Sequence, residues 1–572
     1  MNREGLLCAK KGYPLYSLLG FLFVLFCKAE ADLAACGNIV WNGSYLLELL
    51  AVSLVAGILL GCILCFVSCR LSARERKQEC GQVFLGQGRV FWIALALIVL
   101  CWVPCYLAYY PAICAYDTNV QTGQIVDGAY NDHHPIAHTL LVAGAMEAGE
   151  RLFGDVNTGI ALYAALQMLF LAGALAYGIS LLNRFRVRRV FRVLLLLYAM
   201  LFPFHWYMSI SVIKDTVFSA FFLLQVLSFY GILREGGNPR KITGLDISFF
   251  IGTLGMILFR NNGKYAMMVL LFFLFLALWK GKQCRRLWGR MFLNAMVAFL
   301  AGNLLLTALF RVTNAEQGDR REMLSMPIQQ MARCMLYHGG IGVLPEDDAT
   351  MEEQDKALIN DFLLDESYRE YRPDISDPVK RHTNTYVPRY RTEEFVTTYL
   401  NLLAEYPGDY INAVLAVNAG YLFPGDTTHA VINENGVDKG LGYVQTRWVD
   451  AELNPRGIYK DSKWELLHEK LEDWADRNAY LDIPVLKYMF VPGSYLWLYL
   501  LLACILILQK RYRMLLPLSP VLGYYITLFL GPTVQLRYLY PLMIVLPFAV
   551  LLSPGQSGLV QKECDEKDSV KG

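Results

Sequence analysis

Long apolar runs constrain the fold of this chain more than any other feature. Of its 572 residues, 55% are hydrophobic and 18% are charged, whereas a soluble domain carries roughly 25% charged residues. The apolar residues gather in runs of about 18 to 22, the length that an α-helix needs to cross a bilayer's hydrocarbon core. Barrel strands would instead appear as short alternating segments. The sequence therefore predicts an all-α polytopic membrane protein and excludes disordered and disulfide-stapled secreted classes.

The hydropathy pattern predicts twelve transmembrane helices. They cover residues 14–27, 46–69, 90–110, 157–182, 193–206, 216–233, 243–259, 264–279, 291–310, 489–509, 514–530 and 536–553. The first span is short and follows Lys10 and Lys11, so a cleaved signal peptide is the alternative interpretation.

The Lys and Arg residues of the short connections orient these spans. One set of connections holds 24 such residues, and the opposite set holds six, namely Lys28, Arg151, Lys214, Arg260, Lys264 and Arg537. Cytoplasmic connections carry the basic excess in membrane proteins. We therefore expect a multi-pass protein of the cell membrane with both termini in the cytoplasm and residues 311–487 outside.

An acidic block interrupts the apolar sequence. Residues 311–487 contain 31 acidic and 19 basic residues, a net charge of −12, while the rest of the chain carries +14. Apolar residues at three- and four-residue spacings predict helices over 351–371, 391–406 and 461–478. The predicted organisation is a two-span hairpin with a basic linker (1–88), a membrane core with a first outer loop at 111–156 (89–310), a mainly helical extracytoplasmic domain between spans nine and ten (311–487), a three-span part (488–553) and a cytoplasmic tail (554–572).

Three of the outer basic residues stand at span ends beside polar neighbours. They are Lys214 beside Asp215, Arg260 beside Asn261 and Asn262, and Arg537 near Gln535. Interfacial snorkelling is one explanation of such residues. However, cations placed against the orientation bias, near a membrane interior, are candidates for function. Three at one membrane face predict an anion-binding site.

The first outer loop concentrates groups that can perform acid–base chemistry. Within 22 positions it holds Asp117, Asn119, Gln121, Gln124, Asp127, Asp132, His133, His134 and His138. A carboxylate or imidazole at a membrane surface can act as a general base. The same groups can ligate a divalent cation, with Asp117, His133 and His134 as the candidate ligands. The sequence leaves the metal open, and a simple solvated loop is the third interpretation.

Several short motifs carry a resemblance to a known superfamily. They are Tyr116-Asp117, His133-His134-Pro135, Lys214-Asp215, Arg260-Asn261-Asn262-Gly263 and the stretch from Ser325 to Arg333, and their order along residues 90–553 carries the likeness. The chain resembles GT-C-type glycosyltransferases, which are polytopic enzymes that use polyprenyl-phosphate sugars. More closely, it resembles a bacterial multi-pass membrane family of unknown function within that superfamily. In the superfamily the acidic loop follows the first span, whereas here it follows the third, so spans one and two form an added hairpin.

The resemblance implies a function and a set of site residues. The donor is a polyprenyl-phosphate-linked hexose or pentose, and the acceptor is an envelope glycan, lipid or protein on the outer face. Asp117 is implied as the catalytic residue, which deprotonates or orients the acceptor, while Lys214, Arg260 and Arg537 bind the donor phosphate. The residues implied to bind substrate or support the site are Tyr116, His133, His134, Asp215, Asn261, Asn262, Gln329, Gln330, Arg333 and Tyr538.

Two other functions compete with this one. An envelope-glycan ligase or polymerase also joins many spans to a large outer loop. A transporter or flippase is the alternative from another class, although such proteins tend to show inverted repeats that this sequence lacks. The positive charge of the membrane body follows from its topology, so we expect no nucleic-acid partner.

Overall fold

The computed structural model describes residues 3–75, 86–235, 242–281, 284–316, 318, 320–430 and 450–553. These residues form helices and isolated β-bridges, with no strand among them. The all-α prediction is confirmed. The predicted cytoplasmic tail at 554–572 and residues 76–85 of the basic linker lie outside the described residues.

The N-terminal helices pair closely with each other. Helix α1 (Arg3–Cys36) and helix α2 (Gly43–Glu75) form an antiparallel hairpin. A Cβ atom on Gly20 would lie 2.4 Å from the carbonyl oxygen of Gly57, so only glycine allows the two backbones this approach. Small residues at a contact allow the same close packing between membrane helices in general.

The next ten helices form the main body of the fold. They are α3 (Gln87–Ala108), α4 (Tyr116–Asp127), α5 (Ile136–Phe153), α6 (Val156–Arg184), α7 (Arg189–Leu201), α8 (Pro203–Ile210), α9 (Lys214–Glu235), α10 (Gly244–Phe259), α11 (Asn261–Lys280) and α12 (Arg285–Thr313). Among the helices that could span a membrane, α9 is the most enclosed by the rest of the protein. In its apolar 18-residue stretch 89% of the residues are buried, against 22% for α3 and α12. The residues at its N-terminus therefore lie deep among other helices.

The remaining helices divide into an acidic segment and a C-terminal apolar part. The first group comprises α13 (Ser325–His338), α14 (Glu353–Phe362), α15 (Asp377–Lys380), α16 (Tyr386–Tyr390), α17 (Thr392–Glu405), α18 (Pro407–Leu422), α19 (Asp450–Leu453), α20 (Glu465–Asp476) and α21 (Pro484–Phe490). The second comprises α22 (Pro492–Leu508), α23 (Ser519–Phe529) and α24 (Leu536–Leu552). Ile328, Met331, Phe362 and Leu402 contribute to a separate hydrophobic core of the acidic segment. The predicted helices at 351–371, 391–406 and 461–478 contain α14, α17 and α20 respectively.

Fewer helices qualify as membrane spans than the sequence predicts. Among the described residues, six are long and apolar enough, namely α2, α3, α6, α9, α11 and α12. The number rises to eight if each bent pair, α7 with α8 and α21 with α22, is one span. The structure thus supports a chain that crosses the membrane several times, but the predicted twelve spans are not confirmed. Proline explains part of the difference, because Pro203 and Pro492 begin new helices at bends of 53° and 82°.

Candidate functional site

The segments that lead into α4 and α9 are hydrogen-bonded to each other, so the two helices begin side by side. The backbone N–H of Ile113 donates to the carbonyl oxygen of Ile210, and the N–H of Val212 donates to that of Ile113, each at 3.0 Å. The hydroxyl of Thr118 adds a bond to the carbonyl oxygen of Val212 at 2.9 Å. Asp117 in the first turn of α4 therefore faces Lys214, the first residue of α9.

Asp117 is the centre of a network of ion pairs. Lys214 Nζ lies 2.6 Å from Asp117 Oδ2. Arg537, in the first turn of α24, approaches the same carboxylate with both terminal nitrogens, Nη1 at 2.9 Å from Oδ2 and Nη2 at 3.3 Å from Oδ1. Gln535 accepts from Arg537 Nε at 2.9 Å and so holds the orientation of the guanidinium. A two-nitrogen contact of this kind fixes geometry as well as charge.

A second carboxylate extends the network to Arg260. Asp215 is fully buried, pairs with Arg260, and has Oδ2 at 3.8 Å from Arg537 Nη1. The Arg260 guanidinium lies 4.5 Å from the ring centroid of Tyr538 and 5.7 Å from that of Tyr524. Arg260 itself is the junction between α10 and α11.

These residues form one buried group, which we call the Asp117 cluster: Asp117, His134, Lys214, Asp215, Arg260 and Arg537. Its side chains are at most 13% exposed. Three cations face two carboxylates, so the cluster carries one surplus positive charge when His134 is neutral. The N-termini of α9, α11 and α24 also meet there, and helix N-termini favour anions. The arrangement can accept an anion.

The electrostatics of Asp117 follow from these neighbours. Burial by itself raises the pKa of a carboxylate. Here the charges of Arg537 and Lys214, with a smaller contribution from His134, outweigh burial and hold the pKa of Asp117 well below its usual range. The carboxylate is therefore ionised at neutral pH in this state.

His134 lies against the same cation. Its Nδ1 atom is 3.0 Å from Lys214 Nζ and 3.9 Å from Asp117 Oδ2. Burial, followed by the charge of Lys214, lowers the pKa of His134 well below its usual value, so the ring is neutral. The ammonium of Lys214 thus occupies the position that a metal shared by Asp117 and His134 would need. Within the described part of the chain, no three His, Cys, Asp or Glu side chains form a group that could hold a metal ion.

A buried polar network supports α4 behind the cluster, and sequence reasoning did not find it. Gln121 of α4 bonds His138 Nδ1 at 2.9 Å, and His138 Nε2 meets the Tyr163 hydroxyl at 2.8 Å. Tyr163 donates to Gln167, whose amide donates to the carbonyl oxygen of Ser211 at 2.7 Å. Burial lowers the pKa of His138 to about 3, so this histidine is a neutral structural partner. In the sequence, only the polar composition of the loop indicated this network, because Tyr163 and Gln167 lie on another helix, α6.

Other predicted site residues lie next to the cluster along the chain and are more exposed. Tyr116 is 54% exposed, and His133 and Asn261 are also exposed. His133 meets the ring of His134 edge-on with centroids 4.7 Å apart. Asn262 instead donates to Thr527 Oγ1 at 3.0 Å. Tyr538 is partly exposed and packs against both arginines.

The predicted residues of α13 make their described contacts elsewhere. Gln329 donates to the carbonyl oxygen of Arg372 at 2.7 Å, and Gln330 accepts from the Tyr399 hydroxyl at 2.6 Å. Arg333 pairs with Asp409 at 2.9 Å. These side chains bind the acidic segment together, and their predicted role in substrate binding stays a prediction.

Arg333 belongs to a second polar group, which we call the Arg333 cluster: Asn38, Arg333, His338, Asp348 and Asp409. Arg333 Nη2 donates to Asn38 Oδ1 at 2.6 Å, which connects the loop of the N-terminal hairpin to the acidic segment. His338 lies between the two carboxylates, 3.0 Å from Asp348 and 2.9 Å from Asp409.

The acidic segment also contacts the part of the chain that leads into α24 and the Asp117 cluster. Ile375 forms an antiparallel bridge with Thr533, and the N–H of Ser376 donates to the carbonyl oxygen of Pro532 at 2.9 Å. Tyr421, at the end of α18, lies close enough to interact electrostatically with Arg260. This segment therefore contacts the stretch that carries Gln535 and Arg537, a connection that sequence spacing did not indicate.

Comparison with known proteins identifies a family but no activity. A family model described as "Family of unknown function (DUF6020)" matches residues 126–567, so the chain belongs to this family. The match includes every member of the Asp117 cluster except Asp117 itself, and it excludes the N-terminal hairpin. No curated protein and no solved structure matches the chain.

Proposed function

We propose that this DUF6020 member is a GT-C-type membrane glycosyltransferase that moves a sugar from a polyprenyl-phosphate donor to an envelope acceptor on the outer face of the membrane. One observation carries the proposal. Asp117, Lys214, Arg260 and Arg537 come from four separate stretches of sequence, and they meet in a single buried ion-pair network with a surplus positive charge.

The cations are suited to a lipid-linked phosphate. Arginine offers a planar fork to phosphate oxygens, and lysine offers a point charge. In the structure, Lys214 and Arg537 both form ion pairs with Asp117. An arriving phosphate competes with Asp117 for these two cations and also neutralises the surplus charge. Arg260, held by Asp215 and by Tyr538, supplies the third positive group.

The proposed reaction is a single displacement at the anomeric carbon. The acceptor hydroxyl oxygen forms the new bond to this carbon, the bond from the carbon to the phosphate oxygen breaks, and polyprenyl phosphate leaves with the electron pair. The cations stabilise the charge that grows on the leaving phosphate. No step requires a metal, because Lys214, Arg260 and Arg537 supply this positive charge.

Asp117 orients the acceptor hydroxyl and receives its proton. A general base works best when its pKa is near the working pH, whereas the resting pKa of Asp117 is well below its usual range. When the donor phosphate engages Lys214 and Arg537, two charges that lower this pKa are partly neutralised. The carboxylate then becomes a better base only when the donor is bound.

The proposal includes an orientation of the chain. Both termini lie in the cytoplasm, the Asp117 cluster faces the outer leaflet, and residues 311–487 form an extracytoplasmic domain in a twelve-span topology. Single cysteines placed in the described parts of 340–480 should react with a membrane-impermeant reagent in intact cells. Reaction only after permeabilisation would overturn this orientation.

Transfer by the purified chain tests the function. Full-length protein in lipid nanodiscs is given polyprenyl-phosphate hexoses and pentoses together with an envelope-lipid extract, and the release of polyprenyl phosphate is measured. We expect release that depends on both the protein and the extract. Nucleotide-linked forms of the same sugars are the comparison. Consumption of nucleotide sugars alone, or of no donor, would reject the proposal.

A further inference from the structure

A cavity lies at the opposite end of α9 from the Asp117 cluster. Lys214, the first residue of α9, belongs to that cluster, whereas Glu235, the last residue, lines the cavity. A helix of 22 residues is about 33 Å long, close to the thickness of a bilayer's hydrocarbon core. When α9 crosses the membrane, the cavity and the Asp117 cluster therefore lie at opposite faces.

Four helix ends surround this cavity, which has a volume of about 260 Å³. They are the first residues of α3 and α10 and the last residues of α6 and α9. The buried part of its lining includes Leu181 and Leu245, and the more exposed part includes Arg184, Glu235 and Ser248. A lining that is apolar inside and polar toward the solvent is suited to an amphipathic ligand.

Positive charge is concentrated in the sequence that adjoins the cavity. Residues 184–189 and 234–235 hold five arginines and one carboxylate, namely Arg184, Arg186, Arg188, Arg189, Arg234 and Glu235. The Arg234 guanidinium lies 5.0 Å from the ring centroid of Phe185, so the ends of α6 and α9 are close together. The positive-inside rule by itself accounts for basic residues at one membrane face. The cavity is the further observation, because basic pockets between membrane helices bind anionic lipid headgroups.

The helices beside the cavity also expose apolar side chains. Trp92 and Ile93 lie in the first two turns of α3, and Ile247 and Ile251 lie on the part of α10 that carries Ser248. In a membrane, exposed apolar side chains contact lipid chains. A headgroup in the cavity can therefore leave its acyl chains along α3 and α10.

We infer that this cavity binds the headgroup of an anionic phospholipid with free hydroxyl groups, such as phosphatidylglycerol. Arg184 pairs with Glu235, yet its side chain is 41% exposed, so a phosphate can reach the guanidinium from outside. The phosphate oxygens accept from Arg184, and the headgroup hydroxyls donate to Glu235 and bond Ser248. A carboxylate that accepts from hydroxyls thus has a place in a site for an anionic lipid. The inference is independent of the proposed function.

One substitution fills the cavity, and another removes its cation. Gly244 lines the cavity, and a Cβ atom added there meets nothing within 4 Å, so Gly244→Phe places its ring in open space. Gly43→Phe is the matched control, because Gly43 also begins a helix and has equally open surroundings. Arg184→Gln removes the cation, and Arg151→Gln is its control, since Arg151 also pairs with a glutamate.

The experiment measures lipid retained by full-length protein in detergent, by native mass spectrometry during a lipid titration. Phosphatidylglycerol is compared with phosphatidylcholine, with phosphatidylmethanol, which is anionic but lacks headgroup hydroxyls, and with soluble glycerol phosphate. We expect the wild type and both control variants to retain phosphatidylglycerol in preference to the other three. Gly244→Phe should lose this preference. Arg184→Gln should bind phosphatidylglycerol roughly fivefold more weakly, the contribution of one basic residue near an anionic lipid surface.

Several results would contradict the inference. Equal retention of phosphatidylcholine means that the cavity holds only lipid chains, and equal retention of phosphatidylmethanol removes the contact between Glu235 and the headgroup. Displacement by glycerol phosphate at similar concentration makes the lipid source wrong. Unchanged binding by Gly244→Phe or Arg184→Gln places the lipid elsewhere. A measurement on the unmodified chain covers misfolded variants: photoreactive phosphatidylglycerol should label peptides that contain Arg184 or Gly244, and labelling only at other helices overturns the inference.

Discussion

The Asp117 cluster and the Arg333 cluster are both ion-pair networks, but the first is buried, whereas Asp348 of the second is 48% exposed. In the first, three cations meet two carboxylates, and Nε2 of His134 has no partner among the described residues. In the second, Arg333 and His338 share the carboxylate of Asp409, while Arg333 also bonds Asn38 and His338 also contacts Asp348. A surplus positive charge and an unused hydrogen-bond donor are suited to binding a ligand. Groups that pair with one another are suited to holding two segments of the chain together.

The sharpest test of this difference, and the largest expected effect, is Asp117→Asn. The change keeps the shape of the side chain and removes its charge. Losing a positioned general base typically reduces the rate by about 10²- to 10⁴-fold. The measurement is the rate of sugar transfer beside a thermal melt.

Asp246→Asn is the matched control for this change. Asp246 is also a buried carboxylate in the first turn of a helix, and it lies 3.3 Å from Arg290. Its function is to cap α10, so transfer per folded molecule should stay near that of wild type. Equal activity of Asp117→Asn and Asp246→Asn would remove Asp117 from the chemistry.

Arg333→Ala should act on stability rather than on transfer. Removing one partner of a buried ion pair typically costs about 3–5 kcal/mol, because the other charge is left unpaired. Here Asp409 and Asn38 lose their contacts with Arg333, while Asp409 keeps His338 and Asn38 keeps Asn412, so the cost should lie toward the lower end of this range. The melting temperature should fall, while the KM for donor stays unchanged. A raised KM with an unchanged melt would instead place Arg333 at the substrate, as the sequence predicted.

Arg537→Lys should have an intermediate effect on the Asp117 cluster. Lysine keeps the charge but cannot contact Asp117 with two nitrogens while also lying near Asp215. A hydrogen bond to a charged group is worth about 1.5–3 kcal/mol, so the KM for donor should rise roughly tenfold to a hundredfold. Unchanged donor kinetics would mean that Arg537 only balances charge.

The smallest predicted effect is a pH dependence at His338. Burial lowers its pKa, but the carboxylates of Asp409 and Asp348 outweigh burial and raise it above the usual value. Its charged form therefore stabilises the fold below a pH of about 6.5, its pKa in the unfolded chain, and this contribution is lost as pH rises through the raised pKa. Tyr406 stacks on the ring, and Arg333 shares Asp409.

His338→Gln is the comparison for this effect. The melting temperature of the wild type should decline more steeply than that of His338→Gln as pH rises through this window. Parallel curves for the two proteins would show that protonation of His338 does not stabilise the Arg333 cluster.

The sequence predicted the Asp117 cluster because a general physical rule singled out its members. Lys214, Arg260 and Arg537 lie in the connections that are predicted to be outside and hold few basic residues, and Asp117 follows a predicted span end. The apolar runs likewise predicted the all-α class. These signals are local, so they can be read without knowledge of the packing.

Other features depend on contacts between distant residues, and the sequence did not reveal them. Arg333 meets Asn38 and Asp409, which lie 295 and 76 positions away. Gln121 finds its partner His138 on α5, and His138 finds Tyr163 on α6. The predicted number of spans is likewise not confirmed, since Pro203 and Pro492 each begin a new helix at a bend within an apolar run.

A structure of the full chain in nanodiscs with polyprenyl phosphate bound would show whether the Asp117 cluster binds the donor phosphate. We expect the phosphate at this cluster, with its oxygens about 3 Å from Lys214 and Arg537, and with the contact between Asp117 and these cations partly replaced. The contrary result is a phosphate bound at the Arg333 cluster or elsewhere, with the ion pairs of Asp117 unchanged.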